Sequence, residues 1–245
     1  MVDVHTHVLP GVDDGADDLS AAVAMCRQAL ADGCDTLFAT PHQRTDLWDN
    51  SDLGRLDALR RELETATGGR PRVLPGAEIR VDGDLLDELD DPAASGILPL
   101  AGSRYLLLEL DRHGPGPDPV SLTHELIVAG WVPVYAHPEL IPWLAADLEL
   151  VRALAGGGAL LQVTASSLTG EYGRDTRAVT RRMVDEGLVH FVASDAHGTA
   201  WRPPGLAAAR REIAARWGEE TAERLTRTHG EAVVENRPLP VPALG

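Results

Sequence analysis

Tyr105-Leu106-Leu107-Leu108-Glu109 is an unbroken apolar run closed by a carboxylate. A strand with one wet face alternates apolar and polar residues, whereas a fully apolar run asks for burial on both faces, as in a parallel sheet covered by helices. The same arrangement recurs on either side. Strand-like residues begin at position 2 and run to His5-Thr6-His7, and Thr36-Leu37-Phe38-Ala39 leads into Thr40-Pro41-His42. Arg72-Val73-Leu74-Pro75 leads into Gly76-Ala77-Glu78, and Val132-Pro133-Val134-Tyr135-Ala136 into His137-Pro138-Glu139. Ala159-Leu160-Leu161-Gln162-Val163 is a sixth strand, and Val189-His190-Phe191-Val192-Ala193 a seventh that runs into Ser194-Asp195-Ala196-His197.

Helices fall between them. Leu19, Ala22, Val23, Cys26, Ala29 and Leu30 recur at helical spacing behind Asp17, Asp18 and Ser20 as caps, with Gly33 as the stop; Leu53, Leu56, Leu59 and Leu63 repeat the pattern up to Gly68-Gly69. Further helices are expected over 82–90, 121–129, 142–155, 176–186 and 204–234, with an irregular tail from about 236. Seven strands alternating with helices, without an internal repeat or linker, predict one α/β domain over 1–245 built as a distorted (β/α)7 TIM-like barrel.

Composition narrows the function. A chain of 245 residues with 44% apolar and 24% charged residues is globular, and its formal charge of −16 opposes a nucleic-acid backbone or an anionic membrane as partner. All 22 basic residues are arginine. No apolar stretch is long enough to insert in a membrane and no leader pattern precedes the first strand, so a cytoplasmic location is expected. Cys26 and Cys34 read as buried thiols, not as a disulfide framework.

The polar residues concentrate at the strand ends. His5 and His7, His42, Glu78, Glu109, His137, and Asp195 with His197 each close a different strand, on the rim where barrel enzymes gather catalytic groups. With Asp14 these are nine candidate metal ligands, more than one tetrahedral site takes. Nitrogen and oxygen donors without sulfur suit two or three manganese, iron or zinc ions. Three divalent ions against the carboxylates of Asp14, Glu78, Glu109 and Asp195 leave a formal excess of about +2, suited to a phosphate monoester dianion. Metal-activated hydroxide attacking phosphorus is the chemistry such a centre performs, although His-x-His alone also occurs in barrels that attack carbon.

Asp3-Val4-His5-Thr6-His7, Thr40-Pro41-His42, Gly76-Ala77-Glu78, Ala136-His137-Pro138-Glu139 and Ser194-Asp195-Ala196-His197 resemble the successive motifs of the polymerase and histidinol phosphatase (PHP) superfamily. Leu9-Pro10-Gly11-Val12-Asp13-Asp14-Gly15, Ala165-Ser166-Ser167-Leu168-Thr169-Gly170 and His190-Phe191-Val192-Ala193-Ser194-Asp195 resemble its bacterial tyrosine-protein phosphatases of capsule and exopolysaccharide synthesis.

The resemblance implies a PHP fold and a trinuclear centre. His5, His7, Glu78 and Asp195 would hold one ion, Glu78, Glu109 and His137 a second, and Asp14, His42 and His197 a third, with manganese the first choice of metal. It also implies a phosphotyrosine substrate on a membrane-associated tyrosine kinase. Arg202 matches a phosphate-contacting arginine, which implies a catalytic and substrate-binding role. Arg44 is a second substrate-binding candidate or a solvent-facing residue. Position 140, where the branch typically carries an arginine, is Leu140. Histidinol-phosphate phosphatase is the alternative activity, and a weakly active metal-binding regulatory module the alternative class. Glu139 either supports a ligand histidine from behind or faces solvent, and Ser166 and Ser167 are expected to line the site.

Overall fold

The computed structural model describes residues 1–114 and 116–239. The strands are β1 (Val2–Thr6), β2 (Thr36–Ala39), β3 (His42–Gln43), β4 (Arg72–Pro75), β5 (Glu78–Arg80), β6 (Tyr105–Glu109), β7 (Val132–Ala136), β8 (Leu160–Thr164) and β9 (Phe191–Ala193). All seven expected strands are present, and two further short strands, β3 and β5, follow the second and third. Thr40-Pro41 separates β2 from β3, and Gly76-Ala77 separates β4 from β5. Proline has no N–H to give to a ladder. Gly76 fills a close approach, since a Cβ there would lie 2.9 Å from Leu100 Cδ2.

The breaks hand the chain from one sheet to another. β1, β2 and β4 form a three-stranded sheet, and β3, β5, β6, β7, β8 and β9 a six-stranded one. Every strand pair is parallel. Beyond β9 the backbone returns to the first strand: Asp195 N donates to His5 O at 2.9 Å, and His7 N to Ala196 O at 2.8 Å. Thr6 and Ala196 form a parallel bridge.

The apolar strands bury both faces, as their composition requires. Leu106, Leu108, Tyr135, Leu161 and Val192 pack into one cluster with helix residues such as Met25, Leu56, Leu126 and Leu154. Their neighbours Leu107, Val134, Leu160 and Phe191 enter a second cluster with Val2, Val4, Phe38 and Val233. Period-two alternation sends successive side chains to opposite faces.

Helices α1 (Leu19–Ala31), α2 (Leu53–Ala66), α3 (Leu85–Glu88), α4 (Pro119–Val128), α5 (Pro142–Ala145), α6 (Leu148–Gly156), α7 (Ala165–Thr169), α8 (Arg174–Asp185), α9 (Ala207–Trp217), α10 (Glu219–Glu223) and α11 (His229–Val234) surround the strands. Asp18, Asp52, Asp118 and Asp147 cap α1, α2, α4 and α6 by accepting from the backbone N–H three residues on. The Asp147 cap divides the expected 142–155 helix into α5 and α6. The expected 82–90 helix contracts to the single turn of α3. The expected 204–234 helix is interrupted at Gly218, whose φ of +91° suits glycine, and again by a π-helical stretch at Arg224–Thr228. α11 lies against β1, and a Cβ on Gly230 would fall 2.6 Å from Val2 Cγ1.

No helix among the described residues is long and apolar enough to cross a membrane. Both cysteines are free and buried. Residues 237–239 carry no regular element, and the rest of the expected tail, 240–245, lies outside the described residues.

Candidate metal centre

His5 and His7 leave the end of β1 with their Nε2 atoms 3.2 Å apart. Each is aimed from behind. His5 Nδ1 donates to Gln162 Oε1 at 2.9 Å, and His7 Nδ1 to Asp13 Oδ2 at 2.7 Å. A proton held at Nδ1 leaves the Nε2 lone pair for the centre of the cluster. His197 follows the same rule, donating from Nδ1 to the Asp195 carbonyl at 2.9 Å.

Carboxylates meet these nitrogens. Glu78 Oε2 lies 3.3 Å from His5 Nε2, 3.5 Å from His7 Nε2 and 3.0 Å from His42 Nδ1, while Glu78 Oε1 accepts from His137 Nε2 at 2.7 Å. Asp195 Oδ1 is 3.4 and 3.5 Å from His5 and His7 Nε2. Asp14 Oδ1 is 3.4 Å from His42 Nε2 and 3.3 Å from His197 Nε2.

All nine sequence candidates thus converge. Four overlapping sets hold their donor atoms within 4.8 Å: His7, Asp14, His42 and His197; His5, Glu78 and His137; His5, His7 and Asp195; His42, Glu78 and Glu109. Glu109 associates with His42 as well as Glu78, and Arg80 Nη1 donates to it at 3.2 Å.

The donors fit cations. Glu78 Oε2, Asp195 Oδ1 and His42 Nδ1 are buried without a well-formed hydrogen bond despite their close neighbours. Lone pairs that crowd one region yet do not pair suit an ion between them. Electrostatics point the same way. Burial would raise the Glu78 and Asp195 carboxyls, but the His5 charge, assisted by His42 at Glu78 and by His7 and Arg202 at Asp195, holds both far below the usual range. Burial would lower the imidazoles, but Glu78 lifts His42 to about 10 and His137 to about 9. Burial, then Glu78, raises Glu109. The carboxylates draw positive charge onto the imidazoles, and a divalent ion meets the same demand.

The backbone is bent to make this arrangement. His137, Asp195 and Arg202 have φ of +34°, +53° and +48°, a region costly for residues with a side chain beyond Cα and concentrated at functional sites.

A cavity of about 350 Å³ opens onto the cluster, lined by Asp14, His42, Glu78, Glu109, His137, Asp195 and His197 and also by Arg112, Leu140, Tyr172, Trp201 and Arg202. The Arg202 guanidinium pairs with Asp195, lies 3.5 Å from His197 Nε2 and sits over Trp201 at 5.4 Å. Arg44 lies elsewhere. It pairs with Asp82 at 2.5 Å and with Glu88, and lines a separate cavity, because two carboxylates after β5 claim its charge.

Ser166 and Ser167 do not line the site cavity: Ser166 Oγ donates to Glu171, and buried Ser167 Oγ to Glu139 at 2.7 Å. Glu139 is buried and also accepts from Thr164 N at 2.8 Å, so it fastens the end of β8 and does not face solvent.

Sequence reasoning missed Asp13 and Gln162. Gln162 had a signal, as a lone amide in an apolar strand. Asp13 was hidden by the neighbouring Asp14, which shares its chemistry and reaches different partners.

Comparison with known proteins follows the same lines. Residues 1–235 match the family described as capsular polysaccharide synthesis, CpsB/CapC. The chain is 35% identical over 205 residues to the tyrosine-protein phosphatase YwqE of Bacillus subtilis (strain 168), covering 82% of this chain and 79% of that one. It is 25% identical over 244 residues to the tyrosine-protein phosphatase CpsB of Streptococcus agalactiae, covering 96% and 99%. Among solved structures it superposes with a TM-score of 0.90 and 32% identity, over 98% of this chain and 96% of the other, on one reported with YwqE from Bacillus subtilis and CpsB from Streptococcus pneumoniae as unique metal-dependent tyrosine phosphatases.

Proposed function

Because this chain belongs to the CpsB/CapC family of capsular polysaccharide synthesis, we propose that it is a metal-dependent protein-tyrosine phosphatase. The convergence of His5, His7, Asp14, His42, Glu78, Glu109, His137, Asp195 and His197 beneath a cavity that also carries Arg202 is the observation that supports this reading most. His5, His7 and Asp195 would hold one ion, Glu78, Glu109 and His137 a second, and Asp14, His42 and His197 a third, with Glu78 between sites. Two or three divalent ions, manganese first among them, would supply a nucleophile at neutral pH and neutralise charge on the phosphoryl group.

The chain's own residues do the rest. Gln162 and Asp13 keep protons on the Nδ1 atoms of His5 and His7, so both Nε2 atoms stay available. Arg202, at the cavity wall, offers a charge-assisted contact to phosphate oxygens. Leu140, Tyr172 and Trp201 give that wall an apolar side suited to an aryl ring. A phenolate departs with a conjugate-acid pKa near ~10 and needs little help from a general acid. The whole chain acts as one domain, in the cytoplasm, on phosphotyrosine of a membrane-associated tyrosine kinase.

Protein stripped by chelation and reloaded with manganese should hydrolyse an aryl phosphate and phosphotyrosyl peptides, and phosphoseryl peptides far more slowly. The stripped protein should do neither. Faster turnover of histidinol phosphate than of phosphotyrosine would overturn the assignment.

A further inference from the structure

We infer that Arg112 is a second anion contact of the site, meeting the substrate's phosphoryl group together with Arg202. This rests on the phosphatase reading of the cavity. Arg112 and Arg202 line the same cavity, and Leu140, which lines it too, has no polar group to offer an anion.

The two arginines differ in what already holds them. Arg202 is engaged by Asp195 and stacked over Trp201. Arg112 makes no hydrogen bond or ion pair among the described residues. Its surroundings account for that. The nearby carboxylates of Glu109 and Asp111 are both taken by Arg80, at 3.2 and 2.5 Å.

The main chain beside Arg112 is nevertheless fixed. The Asp111 carboxylate also accepts from His113 N at 2.7 Å, and the Asp111 carbonyl accepts from Trp143 Nε1 at 2.7 Å. An anchored base with an uncommitted guanidinium at a cavity mouth is pre-organised for an anion, and guanidinium matches phosphate oxygens two at a time. In a chain of net charge −16, a cation left unpaired beside a carboxylate-lined cavity also draws an anionic substrate towards it.

Manganese-loaded wild type, Arg112→Ala and the double variant Arg112→Ala/Leu140→Arg test this by calorimetric titration with inorganic phosphate and by kinetics with a small aryl phosphate. Arg112→Ala should bind phosphate about tenfold more weakly, ~1.4 kcal/mol, and raise KM by a similar factor while kcat changes little. The double variant should recover phosphate affinity, because an arginine at 140 borders the same space. Unchanged phosphate affinity in Arg112→Ala would overturn the inference. So would a rise in KM confined to phosphotyrosyl peptides, which would assign Arg112 to the polypeptide. If wild type hydrolysed no phosphate ester, the phosphatase reading would fail by itself, and the phosphate titration would still decide the role of Arg112.

Discussion

Replacing Asp13 by asparagine removes one negative charge and changes the shape of the site by almost nothing, which makes it a clean probe of how His7 is aimed. The Asp13 carboxylate is buried and faces three donors: Oδ2 accepts from His7 Nδ1 at 2.7 Å and from His42 N at 3.1 Å, and Oδ1 from Gly15 N at 3.0 Å. Burial would raise its pKa, but the charge and hydrogen bond of His7 hold it below the usual range, so it is ionised in the fold.

An amide has a single acceptor atom. Turned one way, its NH2 confronts Gly15 N–H and a buried bond is lost. Turned the other way it confronts His7, which must then carry its proton on Nε2, the atom directed into the cluster. A lost bond to a charged acceptor with a donor left unpaired costs about 1–3 kcal/mol. In a chain of this length that lowers the metal-free Tm by roughly 2–12 °C. Loss of a partner behind a metal-binding histidine weakens metal affinity about 10- to 100-fold. Chelator-competition titration with manganese measures the second quantity and thermal unfolding of the stripped protein the first. An Asp13→Asn protein with wild-type metal affinity would refute the claim that Asp13 sets the His7 tautomer.

Two other outcomes are expected. Gly15→Ala should destabilise by about 1–3 kcal/mol, the usual cost of overpacking, and reduce metal content, because the new Cβ would lie 2.1 Å from the His7 carbonyl oxygen; a normal Tm with full metal would contradict the geometry. His190 accepts from Leu161 N at Nδ1, and burial followed by the His229 charge depresses its pKa from 6.5 to about 4. The unfolded chain therefore takes up a proton first as pH falls, and stability is lost between pH 6.5 and 4 by up to about 3 kcal/mol. His190→Asn should flatten that part of the stability profile relative to wild type, and parallel profiles would dismiss His190 as its source.

Much of this molecule could be read from residue type and position. Tyr105-Leu106-Leu107-Leu108 predicts a strand buried on both faces, and Leu107 does enter a different cluster from Leu106 and Leu108. The histidines and acids of the centre were conspicuous because polar residues directly after apolar runs have few structural reasons to be there. What escaped depends on distance in the chain. Gln162 supports His5 across 157 positions and Arg112 shares a cavity with Arg202, and no local pattern links such pairs. Arg44 was a substrate candidate because it follows His42, yet nearness in sequence says nothing of which carboxylates a long side chain will reach, and Asp82 and Glu88 reach it first. The short strands β3 and β5 escaped because Pro41 and Gly76 read as the ends of the strands before them, and nothing local says that the chain resumes pairing two residues on.

The bonds between β1 and the segment after β9 also bear on how the chain is made. Ser194 N donates to Asp3 Oδ1 across 191 positions, beside the link from Asp195 to His5. At synthesis rates of about 5–20 residues per second, the first strand waits roughly 10–40 s for that neighbour to be translated. Through that interval His5 and His7 are accompanied by neither Asp195 nor His197. A nascent chain can hold at most an incomplete set of the candidate ligands, and the cluster is completed only when the last strand arrives.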